Sequence, residues 1–155
     1  MRGLLVVATA AALGCVAAPS AVAAGPYDFS SGAATVHHHF AWSAHDGPNG
    51  ITGHMTAHFR NKNKIWANVT CLQVAPLGPN AHSASIVGVI YKSSDDFGQV
   101  GDMVEFEVVD RTSSGEGDTF RYRPNPFDPS PANCQFDEEG FPITQGNVVV
   151  EQAVP

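Results

Sequence analysis

Histidine is the residue type whose number and spacing most suggest chemistry in this chain. Four of the seven histidines, which we call the histidine ladder, fall at strand spacing: His37 with His39, and His54 with His58. Side chains two residues apart share one face of a strand. If the turn at 47–50 joins the two segments as a hairpin, we expect His39 opposite His54 and the other two one diagonal away. Imidazoles grouped in this way could bind Zn²⁺ or Cu²⁺.

The histidine ladder has a second interpretation, an exposed strand face that binds nothing. Histidine and threonine alternate with other residues between Ile51 and Phe59, and both are acceptable on the solvated face of an antiparallel sheet. His38 falls on the opposite, apolar face with Phe40 and Trp42, where we expect a hydrogen-bonded core histidine. The sequence leaves both interpretations of the ladder open.

Three acidic residues, Asp110, Glu116 and Asp118, flank one turn that is rich in Gly and Ser. Carboxylates on a flexible loop are ligands that Ca²⁺ prefers, but the spacing of an EF-hand is absent, and a solvated acidic turn is the alternative. The common catalytic signatures, including G-x-S-x-G, H-E-x-x-H and the phosphate-binding loop, are absent too. We therefore assign no catalytic residue, and an enzyme would need carboxylates and histidines that only the fold assembles.

The composition is that of one small acidic globular domain. Of the 155 residues, 43% are hydrophobic and 15% are charged, and the net charge is −7 with neutral histidines. This hydrophobicity suffices for a buried core and argues against disorder. The sequence shows no basic patch, which argues against binding to nucleic acids or to anionic membrane surfaces.

Residues 1–24 have the pattern of a cleavable secretory signal peptide. Arg2 supplies a positive charge, Leu4–Val16 is apolar, and Ala21-Val22-Ala23 offers the small residues that signal peptidase requires. The apolar run is too short for a transmembrane helix, and we expect no membrane span. The sequence therefore predicts a single exported domain over 25–155.

The three cysteines have two different predicted roles. Cys15 follows Leu-Gly and partly resembles a lipobox, so a lipoprotein anchored at this residue is an alternative to free secretion. Cys71 and Cys134 remain after cleavage, and two cysteines in an exported chain predict one disulfide. That bond would attach the segment 124–142, which contains five prolines, to the end of the third predicted strand.

Strand signals separated by turn residues recur at short spacing over the exported domain, and no stretch shows a helical period. We predict seven strands, at Thr35–Trp42, Ile51–Phe59, Lys64–Val74, Ser83–Tyr91, Asp102–Asp110, Asp118–Arg123 and Asn147–Gln152. Short connections favour an antiparallel meander. The predicted fold class is all-β, a small β-barrel, with a two-sheet sandwich as the alternative.

Alternation of residue types predicts which faces of these strands are buried. In the fifth strand Val104, Phe106 and Val108 should face the core. Glu105 and Glu107 alternate with them and should face water. The fourth strand is apolar on both faces, which predicts a central strand or one that is covered on its outer side.

Two segments resemble a signature of small secreted β-domain proteins of actinobacteria and related bacteria, whose function is unknown. Val69-Thr70-Cys71-Leu72-Gln73-Val74 is similar to their VTCL-x-V motif, and the stretch 106–120 resembles their V-x-D-x-G … D-x-F motif. The resemblance extends over about two thirds of the chain and implies export and a β fold, but no chemistry. The insert at 75–82 and the turn at 110–115 depart from the pattern.

These observations favour an exported, non-catalytic binding or envelope-associated module that contacts an extracellular ligand or a surface partner. One alternative is a Zn²⁺- or Cu²⁺-binding protein that uses the histidine ladder. Another is a small secreted enzyme that uses carboxylates and histidines assembled by the fold. An enzyme should present a concave pocket with converging polar groups, whereas a binding module should present an apolar cavity or an exposed patch.

Overall fold

The computed structural model describes residues 27–79, 81–94, 98–111, 117–124, 134 and 140–153. The predicted signal peptide and Cys15 lie outside the described residues, as does Glu116 of the acidic turn. No helix long and apolar enough to cross a membrane is found in the part of the chain that the structure describes.

The described chain forms one antiparallel sheet of nine strands. The strands are β1 (Phe29–Thr35), β2 (His39–Gly47), β3 (Gly50–His58), β4 (Lys64–Gly78), β5 (Ala81–Ser93), β6 (Met103–Asp110), β7 (Thr119–Pro124), β8 (Phe141–Pro142) and β9 (Gln145–Glu151). Consecutive strands from β1 to β8 are neighbours, and β9 returns to pair with β1. The sheet curls into a half-barrel, which confirms the predicted all-β antiparallel meander.

The two edges of the half-barrel are connected at one end by the segment between β8 and β9. The backbone N–H of Ile143 donates to the carbonyl of Asp118, at the start of β7. The next residue, Thr144, donates its backbone N–H to the carbonyl of Thr35, at the end of β1. Two successive residues thus link the start of β7 to the end of β1.

The inside of the half-barrel is filled with aromatic rings. Their centroids are 4.5 Å apart for Phe40 and Phe120, 5.5 Å for Trp42 and Phe120, and 5.6 Å for Phe40 and Phe106. The indole N–H of Trp42 donates to the hydroxyl of Ser30 at 3.0 Å, which satisfies the polar end of a buried ring. Each of these residues faces inward because alternate residues of a strand share a face.

The first predicted strand, Thr35–Trp42, was wrong in its bounds. The structure has two strands there, β1 and β2, joined by a bend at 36–38. Phe29–Thr35 is rich in Gly, Ala and Ser, residues with little preference of their own for strands. This segment is a strand because β2 pairs with it on one side and β9 on the other.

The prediction that Glu105 and Glu107 face water was also wrong. The two residues are only 3% and 1% exposed. Arg123 lies opposite Glu105 in the β6–β7 ladder, and Arg121 lies opposite Glu107. Arg123 Nη1 is 3.2 Å from Glu105 Oε2 and 3.7 Å from Glu107 Oε1, and Arg121 Nη1 is 3.4 Å from Glu107 Oε2. Ser85 donates its hydroxyl to Glu105, so these carboxylates are buried with charged and polar partners.

The outer face of the sheet is covered around the disulfide. Cys71, in the middle of β4, is bonded to Cys134, with the two Cα atoms 5.8 Å apart, as predicted. Cys71, Cys134 and Val87 form a small buried cluster with Met103 packed against it. Since Val87 belongs to β5, which lies between β4 and β6, this strand is both central and covered, as its two apolar faces predicted.

Candidate functional site: an aromatic mouth of the half-barrel

A concave site lies at the end of the half-barrel where β1, β3 and β7 end. A cavity of about 430 Å³ is lined by residues of three separate segments, His38, Phe59, Arg60, Asn61, Tyr122 and Pro124. A smaller cavity of about 130 Å³ adjoins it and shares two of these residues; it is lined by Val36, His37, His38, Phe40, Phe120, Tyr122 and Phe141. We call the two cavities together the aromatic mouth.

Aromatic rings form the walls of the mouth and continue into the core. The centroid of Phe59 is 5.1 Å from that of His38 and 5.7 Å from that of Tyr122. The Tyr122 ring in turn stacks on Phe40 at 5.5 Å. Because each ring contacts another ring, the walls are held in place before any ligand arrives. Phe141 is 66% exposed at the outer rim.

The turn between β3 and β4 places Phe59 and Arg60 at the mouth. The backbone N–H of Phe59 donates to the carbonyl of Asn63, and that of Lys62 donates to the carbonyl of Phe59. The side-chain carbonyl of Asn61 accepts from the backbone N–H of Asn63. Lys62 has a φ of 72°, the left-handed conformation that such a tight turn requires. These bonds fix the direction in which the two side chains leave the backbone.

His38 supplies a polar group to the otherwise apolar wall. Its Nδ1 atom accepts the backbone N–H of Arg60 at 3.3 Å. Burial, followed by the charges of Arg60, His37 and His39, lowers the pKa of His38. The imidazole is therefore neutral at physiological pH, and with Nδ1 as acceptor its proton is on Nε2. His38 is thus hydrogen-bonded among aromatic rings, as predicted, but it is only partly buried in the bend at 36–38 and lines the mouth instead of lying in the core.

The histidine ladder does not have the predicted register. β2 and β3 continue to Gly47 and Gly50, which pair with each other, so the turn contains only two residues between them. His39 therefore lies opposite His58, and His54 lies four residues away, opposite Ser43. The predicted pair His39–His54 was wrong because the strands extend further toward the turn than the apolar pattern indicated.

The structure does not bring the four residues of the histidine ladder together. His37 lies in the bend between β1 and β2, and the described residues contain no group of three or more His, Cys, Asp or Glu side chains that could hold a metal. The two remaining neighbours, His39 and His58, border a shallow outer groove of about 410 Å³ with Thr35 and Thr56. Zinc sites in proteins use at least three protein ligands, and the ladder offers two.

Two of the three predicted calcium ligands, Asp110 and Asp118, are among the described residues, and neither lines the mouth. Asp110 accepts the backbone N–H of Val150 through Oδ2 at 3.0 Å, and Asp118 accepts the backbone N–H of Arg111 at 3.0 Å. The other carboxylate oxygen of Asp110 is buried and has no hydrogen-bond partner among the described residues. The two carboxylates therefore accept hydrogen bonds from the backbone, and these bonds hold β9 and the end of β6 in place.

Asp110 should make the stability of the protein depend on pH. Burial raises its pKa, as do Asp118 and Glu151, although the Val150 hydrogen bond and His82 oppose this. The folded state then binds the proton more tightly than the unfolded state, so the associated stability is present at low pH and is lost as pH rises through the folded pKa. We expect Asp110→Asn, which keeps an acceptor for Val150, to unfold at higher urea concentration than the wild type at pH 7.

The difference in urea midpoint between Asp110→Asn and the wild type should shrink as the pH falls toward the usual pKa of an aspartate. Urea midpoints for both proteins at several pH values would measure it. Asp46→Asn, at an exposed position of β2, is the matched control and should show no such trend. A constant difference between Asp110→Asn and the wild type at all pH values would contradict the assignment.

Comparisons with protein-family models, with curated proteins and with solved structures found no match. The resemblance to small secreted actinobacterial proteins therefore stays a prediction.

Sequence reasoning missed most of the mouth. His38 was singled out, but Phe59, Arg60 and Tyr122 were interpreted only as parts of strands and turns. The available signal was an aromatic residue at the end of two predicted strands, beside a polar turn. The sequence does not show that these two strand ends are close in space, because the curl of the sheet brings them together.

Proposed function

We propose that this chain is an exported, non-catalytic binding module that holds a small apolar ligand in its aromatic mouth. The observation that carries the proposal is the cavity of about 430 Å³ between His38, Phe59 and Tyr122. Ligand sites are typically concave and of this size, with apolar and aromatic walls and a few polar groups that orient the ligand. The mouth has these properties, whereas the outer groove beside His39 is lined mainly by small and polar side chains.

Export is supported by two independent features of the chain. Residues 1–24 have the composition of a signal peptide. The Cys71–Cys134 bond is typical of proteins that fold in an oxidising compartment. A binding module outside the cell meets small apolar molecules directly, and a pocket at an open end of the half-barrel gives them access without any movement of the core.

The proposal is tested with a neutral aromatic probe. Calorimetric titration of the purified protein with 2-naphthol should show saturable binding, and amide chemical shifts should change at His38, Phe59 and Tyr122. Phe59→Leu should weaken binding about fivefold, because one aromatic contact contributes about 1 kcal/mol. The matched control is Tyr91→Leu, at an aromatic residue that is 48% exposed and does not line the mouth.

Four outcomes would reject the proposal. The first is the absence of saturable binding for 2-naphthol. The second is binding that Phe59→Leu and Tyr91→Leu weaken equally, since this would place the probe elsewhere or on the surface at large. The third is chemical conversion of the probe by the wild-type protein, which would favour the enzyme alternative. Chemical shifts that change only around His39 and His58 would assign binding to the outer groove.

A further inference from the structure

Arg60, at the rim of the aromatic mouth, has no acidic partner among the described residues. The chain contains 15 Asp and Glu residues against 8 Lys and Arg residues, yet Arg60 lines the mouth without one of these carboxylates among the described lining residues. The ion pairs of the described residues join Arg121 and Arg123 to glutamates of β6. Lys92 lies over the ring of Trp66 at 4.6 Å. Arg60 instead borders a cavity whose other walls are largely apolar.

The side chain of Arg60 is held in position at the mouth. Its Nε donates to the carbonyl of His37 at 3.0 Å, and its backbone N–H donates to Nδ1 of His38. Both acceptors, the His37 carbonyl and His38 Nδ1, belong to the bend between β1 and β2. Arg60, in the turn between β3 and β4, is therefore bonded to this bend. Only one of its five N–H donors is used in this bond. The terminal nitrogens have no hydrogen-bond partner among the described residues, and Arg60 lines the cavity.

An anion is the ligand that these donors favour. A guanidinium binds a carboxylate through two parallel hydrogen bonds, and such charge-assisted bonds are stronger than neutral ones. The neutral His38 ring, with its proton on Nε2, provides a further donor in the same cavity. The lining of the mouth contains no carboxylate among the described residues, so no described side chain of the lining repels an anion.

We infer that the aromatic mouth selects small aromatic monocarboxylates, with the rings of the ligand against Phe59 and Tyr122 and its carboxylate on the guanidinium of Arg60. This inference rests on the proposed function and adds to it the charge and the chemical class of the ligand. The cavity of about 430 Å³ has room for a bicyclic ring system, and the single guanidinium matches a single carboxylate.

The test compares two probes of the same shape, 2-naphthoate and the neutral 2-naphthamide, by calorimetric titration of the purified protein. We expect 2-naphthoate to bind about tenfold more tightly, because a hydrogen bond to a charged group contributes about 1.5 kcal/mol or more. Added NaCl should weaken the binding of 2-naphthoate and leave that of 2-naphthamide nearly unchanged. Acetate, which lacks the ring, should not compete at equal concentration.

Two variants separate the guanidinium from the general charge of the protein. Arg60→Gln should bind 2-naphthoate and 2-naphthamide with about equal affinity, and Arg60→Lys should retain part of the preference for 2-naphthoate. Lys92→Gln removes the same charge at a position outside the mouth, and should retain the full preference. Arg60 is exposed and on a turn, so these variants are expected to fold.

Equal affinity of the wild-type protein for the two probes would overturn the inference and leave the proposed function standing. Failure of both probes to bind would overturn both. A preference for 2-naphthoate that Arg60→Gln and Lys92→Gln reduce equally would overturn the inference too, since it would show a response to net charge alone. Competition by acetate would show that the mouth holds an adventitious ion only.

Discussion

Replacing both Cys71 and Cys134 with Ala should lower the free energy of unfolding by about 4 kcal/mol. The bond joins positions 63 residues apart, and in the chain-entropy model a closed loop of this length strongly restricts the unfolded chain. The two cysteines also pack against Val87. Small domains have a free energy of unfolding of only about 5 to 15 kcal/mol, so this loss would remove a large part of the stability.

Guanidinium denaturation of the double variant and of the wild type, both under oxidising conditions, measures the effect. The matched control is Val87→Ala, which removes packing from the same buried cluster and keeps the covalent bond, and it should cost clearly less. Wild-type protein treated with a reductant should unfold near the midpoint of the double variant. Coinciding midpoints of the double variant and the oxidised wild type would show that the bond adds no stability.

The second large effect is expected at the buried carboxylate of Glu107. Its side chain is fully buried against Arg121 and Arg123, whose side chains are 29% and 22% exposed. Removing one partner of a buried ion pair typically costs 3–5 kcal/mol, because the other charge stays in a desolvated position. The arginines here are partly solvated, so we expect Glu107→Ala to cost about 3 kcal/mol.

Chemical denaturation of three proteins separates the contribution of charge at Glu107 from that of volume. Glu107→Gln keeps the shape and removes the charge, and should be almost as destabilising as Glu107→Ala if the ion pairs dominate. Asp46→Ala changes an exposed carboxylate of β2 and should shift the unfolding midpoint little. A loss below about 1 kcal/mol for Glu107→Ala would mean that water replaces the carboxylate at the two arginines.

Much of the strand pattern could be predicted from the sequence because strand alternation is a local property. The inward positions of Phe40, Trp42 and Met55 follow from alternation alone, and all three are buried. The pairing of Cys71 with Cys134 followed from the cysteine count and the predicted export. None of these predictions needed to know which strands are neighbours.

Three features could not be predicted, since each depends on which strands pair and in what register. The strand character of Phe29–Thr35 comes from β2 and from β9, more than a hundred residues away. The burial of Glu107 depends on arginines that a neighbouring strand places opposite β6. The register of the histidine ladder depends on where β2 ends and β3 begins at their turn. A shift of four residues in this register gives each residue a different cross-strand partner but leaves it on the same face of the sheet.

The sequence by itself determined the all-β class, the inward faces and the disulfide of this protein, because periodicity and residue type carry that information locally. Only the tertiary structure decided the aromatic mouth. Its walls come from the bend at 36–38, the turn at 59–61 and the end of β7 at 122–124. These segments meet because the sheet curls until rings of β7 contact a ring of β2, and no local pattern of residues encodes that curvature.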